Sequence, residues 1–430
     1  MRTTSRAVAQ ALVGNAIPPL AALASAPILA RGLGVADRGE VAAATAPLLL
    51  VIAAATFGLP EAVTYYTARH SALRRRVLRH GMLLISLAAI VGVLLNYILI
   101  VQTVSVDGAA RAPALLALPA VLPGLLIGLL RGSAAGQGEW HSVTIEKLVS
   151  SLARLITLTA LLATGSLTVL TAVLVIAYAP VLGGLAYLRP KVYKPVTPDQ
   201  GYRVESLVVY GSRVWLGSVA GVLLARIDQV LMNPLAGAVQ LGLYVVAVSI
   251  SEVPLIVNAA IRDVLFTEQS SGDSADRLAQ AGRLSTLFVL IICVLLGVSV
   301  PFWLPIVFGN EFTDAVGPTL LLLVAVAIGN PGSMAGAGLS GRGRPGLRSW
   351  AIVVACAANI LLVILLVPIY GAMGAAAATL LANIVSSNLN LLFAKKVMRI
   401  RHRDFWMIRR NDVRVVFTVG RDAICRLTRR

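Results

Sequence analysis

Charged residues are scarce in this sequence. They make up 13% of its 430 residues, against roughly 25% in soluble domains, and so few cannot clothe a water-facing surface. Acids are scarcer than bases, 19 Asp and Glu beside 37 Lys and Arg. Only three cysteines occur, Cys293, Cys356 and Cys425, at spacings that form neither a disulfide framework nor a zinc pattern. The four histidines, His70, His80, His141 and His402, lie in separate short polar segments, where solvated rather than ligating roles are expected. No metal site and no cofactor is therefore expected. No paired catalytic acids and no Gly-Lys phosphate loop appear either.

What the chain does have is apolar side chain, 58% of residues, with a mean hydropathy of +0.84. A bilayer can absorb that much, because lipid tails take the place of a protein core. The pattern predicts spans near 10–30, 42–67, 81–101, 114–131, 147–165, 168–188, 206–228, 241–261, 285–305, 316–336, 349–369 and 372–394. Strand barrels need short alternating segments, so the fold class is all-α integral membrane with about twelve transmembrane helices. The first apolar stretch, after Arg2 and Arg6, is long enough to be a retained helix rather than a cleaved signal.

Basic residues alternate between loops. Segments 69–80, 131–147, 189–203, 262–283 and 342–348, with the two termini, hold 31 of the 37 Lys and Arg. The opposite loops hold Arg31, Arg38 and Arg111 only. By the positive-inside rule the Arg-rich side is cytoplasmic and so are both termini. This placement explains a net charge of +18 without nucleic acid as a partner. The tail from Lys395 onward mixes twelve bases with Phe405, Trp406, Ile408, Val416 and Phe417. It suits a helix on an anionic leaflet, or is simply a positive-inside tail.

The halves repeat. Gly132-Ser133-x-Ala135-Gly136-x-Gly138 matches Gly332-Ser333-x-Ala335-Gly336-x-Gly338, Ala110-x-x-Pro113-x-Leu115-Leu116-x-Leu118 matches Ala315-x-x-Pro318-x-Leu320-Leu321-x-Leu323, and Gly34-x4-Gly39 matches Gly237-x4-Gly242. The offsets, 200 to 205 residues, cover six helices, an even number, so both halves keep one orientation about an axis along the membrane normal. The expected organisation is two pseudo-symmetric six-helix bundles, 1–190 and 206–394, around a central cavity. A cytoplasmic linker at 191–205 and a basic cytoplasmic tail at 395–430 complete it.

Four segments in order carry a family likeness: Leu29-Ala30-Arg31-Gly32-Leu33-Gly34-Val35-Ala36-Asp37-Arg38-Gly39-Glu40 with Phe57-Gly58-Leu59-Pro60-Glu61; Arg226-Ile227-Asp228-Gln229 through Leu241-Gly242-Leu243-Tyr244; Phe308-Gly309-Asn310-Glu311-Phe312; and Val367-Pro368-Ile369-Tyr370-Gly371-Ala372-Met373-Gly374. The chain resembles bacterial polysaccharide-unit exporters of the multidrug/oligosaccharidyl-lipid/polysaccharide exporter superfamily. The resemblance implies two six-helix bundles, alternating access, and movement of an undecaprenyl-pyrophosphate-linked oligosaccharide from inner to outer leaflet of the inner membrane. It also makes polysaccharide polymerase or assembly proteins candidate partners. Lipid II flippases of the superfamily usually carry two further C-terminal helices, where this chain has its basic tail. Multidrug exporters share the fold but lack the Asp-rich and Phe-Gly-x-x-Phe segments. An enzyme would need large outward loops, and these are short; a scaffold in an assembly complex would need none of the ionisable residues inside spans.

Those residues are the candidate site, since an ionisable group inside a span is costly unless it faces a cavity or a partner. Arg213 sits about seven residues, roughly 10 Å, inside the seventh span, in a stripe Ser206, Tyr210, Arg213, Gly217, Gly221, Asp228. Arg154 lies in a stripe Lys147, Ser150, Arg154, Thr157. Arg213 and Arg154, with Lys147 and Tyr210, either hold a pyrophosphate at the inward mouth or snorkel to the interface. Glu252 is the deepest carboxylate, and Glu61 follows Pro60, which frees the Thr56 carbonyl. Each is a candidate for ion coupling or an ordinary partner for an arginine. Arg226 and Asp228 are placed at the outer gate, paired with loop groups. Asn383 and Asn390 share a face with Thr379 and Ser387, for interhelical bonding or sugar contact.

Overall fold

A computed structural model describes residues 2–69, 73–106, 108–188, 204–256, 258 and 275–406. The linker 191–203, the loop 259–274 and the tail beyond 406 lie outside the described residues, and with them most of the expected linker and basic tail. Among the described residues the chain is helical, without strands. The helices are α1 (Arg2–Ala54), α2 (Leu59–Arg69), α3 (Arg74–Thr103), α4 (Arg111–Leu116), α5 (Val121–Gly136), α6 (Trp140–Ala163), α7 (Val169–Gly184), α8 (Val204–Ser251), α9 (Ala275–Phe308), α10 (Val316–Gly341), α11 (Pro345–Met398) and α12 (Arg403–Trp406).

Among the described residues eight helical stretches are long and apolar enough to cross a membrane. Three of them contain two passes each. α1, α8 and α11 are broken at Gly34 (φ 78°, ψ −179°), Gly237 (φ 80°, ψ 173°) and Gly371 (φ 53°, ψ −129°), conformations that a Cβ disfavours. The chain folds back there. Tyr244 reaches Asp228, and a Cβ on Gly374 would strike the carbonyl of Leu366, although a straight helix would hold each pair more than 10 Å apart. α6 is also long enough to span but carries Glu146, Lys147 and Arg154. Counting it, the helices make twelve passes.

Two glycine pairs show how the halves meet. A Cβ on Gly39 would collide with the backbone of Ala238, and a Cβ on Gly242 with that of Val35. Residues 35 and 39 plus 203 are 238 and 242, so one contact is the pseudo-two-fold image of the other, as in an isologous interface. Gly138 and Gly343, each two residues past the end of its helix (α5 and α10), share φ near +74° and +73°. In lipid no hydrophobic drive pulls helices together, so small residues that let backbones approach carry the packing. The repeated Gly-Ser-x-Ala-Gly segment serves this purpose. Gly132 and Gly136 lie against the backbone of Pro60 and Thr64 in α2, and Gly332 against Ser387 in α11.

Three expectations change. Arg38 is not in an outward loop but inside a helix, one turn past Gly34, and is buried. α6 begins at Trp140 rather than 147, which sets Arg154 deeper, about 14 residues or roughly 21 Å from the helix start. The Thr56 carbonyl is not free. The helix stops at Ala54, Phe57 and Gly58 take positive φ (47° and 66°), and Thr56 accepts the N–H of Leu59.

Candidate functional site

The break at 55–58 packs against α8. Phe57 stacks on Trp215 at 5.0 Å, and the Trp215 indole N–H donates to the freed Ala54 carbonyl at 2.6 Å. Gly211 lies against the Phe57 and Gly58 backbone. One turn further towards the Arg-rich side, Tyr210 stacks on Tyr65 at 4.6 Å and meets Tyr66 edge-on. Tyr210 is thus an aromatic contact between the halves. The polar stripe of α8 is divided accordingly: Gly217 packs on Ser349, Gly221 has open space around it, and Asp228 is buried. Arg213 is exposed and has no hydrogen bond or ion pair among the described residues. Glu61, at the start of α2, is likewise exposed.

Further along α8, in the C-terminal half, Arg226 and Asp228 are paired. Arg226 meets Glu252 at 3.3 Å, both side chains about a third exposed. Asp228 accepts from the Tyr244 hydroxyl and from the backbone N–H of Gln229, and Tyr244 is 3.2 Å from Thr379. The partners of Arg226 and Asp228 are therefore on the returning limb of the same hairpin, not on outer loops. Glu252 is the partner of an arginine.

Deeper in that half lies a cavity of about 410 Å³ whose polar lining is Asn258, Asn330, Asn383, Asn390, Ser333, Ser386 and Arg348. Asn383 donates to the Ala325 carbonyl at 3.3 Å. The side-chain oxygens of Asn258, Asn330 and Asn390 are buried and unpaired, and such groups are ordinarily satisfied by protein, water or ligand.

The N-terminal half differs. At its Arg-rich end Arg131 forms a bidentate pair with buried Glu146 (3.0 Å for both bonds), and the Tyr187 hydroxyl donates to the same carboxylate at 3.4 Å. Lys147 donates to Asn15 at 2.6 Å, which ties α6 to α1. Arg154 is half-buried, with its Nε sealed and unbonded. Arg38 is buried, with its Nε likewise sealed and unbonded. Arg38, Asn258, Asn330 and the Arg131–Glu146 pair were not among the sequence candidates. Arg38 sits in a stretch that reads as a loop, and Arg131 and Glu146 are 15 residues apart across a turn, a pairing no helical spacing announces.

Comparison with known proteins is consistent across sequence and fold. The profile of the polysaccharide biosynthesis protein family matches residues 6–266. A probable low-salt glycan biosynthesis flippase, Agl15 of Haloferax volcanii, is 23% identical over 225 residues, 51% of this chain and 47% of that protein. The chain thus spans about half the length of the curated relative it matches. Among solved structures, a MATE family multidrug-resistance transporter of the MOP superfamily in an inward-facing conformation is similar with a TM-score of 0.72, at 16% identity, over 90% of this chain and 98% of that one. The lipid II flippase MurJ in an inward closed conformation also gives 0.72, at 14% identity, over 97% of this chain and 91% of that one. These likenesses show a multi-pass membrane transporter fold.

Proposed function

The chain belongs to the polysaccharide biosynthesis protein family, and from that membership we propose that it moves a polyprenyl-pyrophosphate-linked oligosaccharide from the inner to the outer leaflet by alternating access. The observation that carries this reading is the amide-lined cavity of the C-terminal half, with three unpaired carboxamide oxygens, Arg348 and, among the described residues, no carboxylate in its lining. Amides and hydroxyls suit a sugar rich in hydroxyl groups, whereas a cationic drug would call for acids or aromatic faces. Asn383 and Asn390 are the proposed sugar contacts.

The headgroup is held, on this reading, by arginine. Arg213, exposed on α8 near its Arg-rich end, is placed to take the pyrophosphate at the inward mouth, with Lys147 and Tyr210 at its margin and Arg154 deeper. Guanidinium forks pair two phosphate oxygens at once. Coupling runs through Glu252, whose bond to Arg226 would be exchanged for a proton or Na⁺, with Glu61 as the second candidate. Arg226 and Asp228 brace the hairpin that closes the outer gate. The protein lies in the inner membrane of a bacterial cell with the Arg-rich face and both termini in the cytoplasm, the tail against anionic lipid. Transport of this kind makes and breaks no covalent bond, so no enzymatic step is invoked.

Reconstitution tests it. Proteoliposomes carrying a fluorescent polyprenyl-pyrophosphate sugar should lose inner-leaflet label faster than protein-free vesicles. Arg213→Ala should slow this about ten- to a thousand-fold, from the loss of one or two charge-assisted bonds, and Arg213→Lys should rescue only part. No difference between protein-containing and empty vesicles would sink the reading.

A further inference from the structure

The two halves are tied to each other where two helices end. Arg31 is exposed on the first limb of α1, three residues before the Gly34 bend. It donates from Nε to the carbonyl of Val307 at 2.9 Å and from Nη2 to that of Ile306. Both carbonyls belong to the last turn of α9, where no intrahelical donor follows. A cation there is favoured twice, by charge-assisted hydrogen bonds and by the negative end of the helix dipole. Asn233, on the first limb of α8 four residues before the Gly237 bend, donates to the Thr103 carbonyl at 2.7 Å, at the end of α3. Residue 103 plus 203 is 306, and 31 plus 203 is 234, so the two contacts are pseudo-two-fold images within one residue. In each, the first span of one half caps the third span of the other.

The images are unequal. At the end of α3 the carbonyls are shared: Thr103 goes to Asn233 across the interface, and Val104 to Arg111 of its own half at 3.2 Å. At the end of α9 one arginine from the other half takes both. Asn233 is buried and neutral, whereas Arg31 is exposed and charged. The turn Asn310–Ala315 that follows α9 also leans on α1, with Glu311 3.3 Å from where a Cβ on Gly34 would stand. All of these residues lie at the Arg-poor end of the spans. A bond inside one half only braces it, but a bond between two bodies that rotate against each other must break whenever that end opens. The α9 carbonyls suit repeated release, because the last carbonyls of a helix are satisfied by water once a cap leaves.

We propose that Arg31 is a latch: its two bonds to the end of α9, with Asn233 on Thr103 as the weaker image, hold the Arg-poor ends of the halves together and set how often they part. The inference concerns the movement of the halves and not the cargo. Loss of Arg31 creates no new state; it moves the resting population towards one already accessible, in which the Arg-poor end is open. A lysine at this position keeps the charge but has no planar fork to span two carbonyls, so it holds the latch only in part.

Distance measurement by double electron–electron resonance tests the latch without any ligand. Spin labels at Ser105→Cys and Thr313→Cys, both exposed beyond the ends of α3 and α9, report the separation of the halves in the full-length protein in nanodiscs, with its native cysteines replaced by serine. The unlatched background should show mainly the short distance. Arg31→Gln should raise the long-distance fraction about ten-fold, the worth of two charge-assisted bonds reduced by solvent screening. Arg31→Lys and Asn233→Ala should each raise it about three-fold. Arg111→Gln is the control: it removes the same chemistry, an arginine on a last-turn carbonyl, but within one half, and should leave the distances unchanged. An unchanged distribution in Arg31→Gln overturns the proposal, as does an Arg111→Gln shift as large as that of Arg31→Gln, which would make both arginines ordinary helix caps. Should Arg31→Gln fail to fold, Arg31→Lys decides, and a distribution identical to the background again overturns the latch. If wild-type vesicles fail to translocate the lipid-linked sugar while Arg31→Gln still opens, the transport reading falls and the latch stands.

Discussion

Inside the N-terminal half Arg38 and Arg154 have no counter-ion among the described residues, whereas inside the C-terminal half Arg226 has Glu252 and Asp228 has Tyr244. The cavity of the C-terminal half is lined mainly by asparagine and serine, with Arg348 beside them. The two halves share a backbone device, a glycine bend with φ near +80°, and meet through mirrored contacts of Gly39 and Gly242. Backbone geometry has thus been kept while the lining has diverged. The N-terminal half holds two arginines without a counter-charge among the described residues, and the C-terminal cavity offers mostly amides and hydroxyls beside Arg348, a difference that on the proposed function suits a ligand with an anionic head and a neutral sugar body.

The strongest way to break the comparison is to destroy what the halves share. Gly39→Val and Gly242→Val both force a side chain into the opposite backbone. Each should cost about 1–3 kcal/mol of packing and cut translocation more than ten-fold, and the two should hurt alike because the contacts are related by the pseudo-two-fold. A large effect from one and none from the other, in a vesicle flipping assay, would show that this pair of contacts is not symmetric in function.

The difference in lining is sharpened next. Asn330→Ala and Asn390→Ala should weaken binding of the complete lipid-linked sugar about five- to thirty-fold, the worth of one or two hydrogen bonds, and leave binding of polyprenyl pyrophosphate without sugar unchanged. Equal losses for both ligands in a titration would place the headgroup in the C-terminal cavity and reverse the division proposed above.

Smaller effects are expected where charge is already paired. In a double-mutant cycle of Arg226→Gln and Glu252→Gln, thermal melts should give a coupling of about 0.5–1 kcal/mol, because both groups are partly exposed and screened. If Glu252 couples an ion, Glu252→Gln should in addition remove the dependence of transport on a proton or sodium gradient, which Arg226→Gln should retain. The smallest change is Trp215→Phe. It keeps the stack on Phe57 and loses only the bond to Ala54, worth about 1 kcal/mol, and should lower the melting temperature by a few degrees while leaving substrate binding intact.

Much of the architecture was legible because it is local. Apolar runs of spanning length, alternation of basic loops, and Gly34 and Gly237 at one offset are properties of single segments, and the bilayer imposes helix on them. The hydropathy of α6 is lowered by three charges, yet its length and flanks still mark it as a pass. Depth was less legible. A helix can extend beyond its apolar run, as α6 does to Trp140, and a polar-looking stretch such as Asp37-Arg38-Gly39-Glu40 can be helix when tertiary contacts cover it.

Partners were not legible at all. The sequence by itself determined a twelve-pass helical membrane protein with repeated halves, since each span answers to its own apolar length and each bend to its own glycine. Only the tertiary structure decided that Glu252 belongs to Arg226, that Tyr210 packs on Tyr65, that Asn258, Asn330 and Asn390 surround one space, and that Arg38 is buried. The physical reason is that each of these depends on where two helices cross and how they are rotated, which close contacts such as Gly39 on Ala238 set and which no periodicity along one helix encodes.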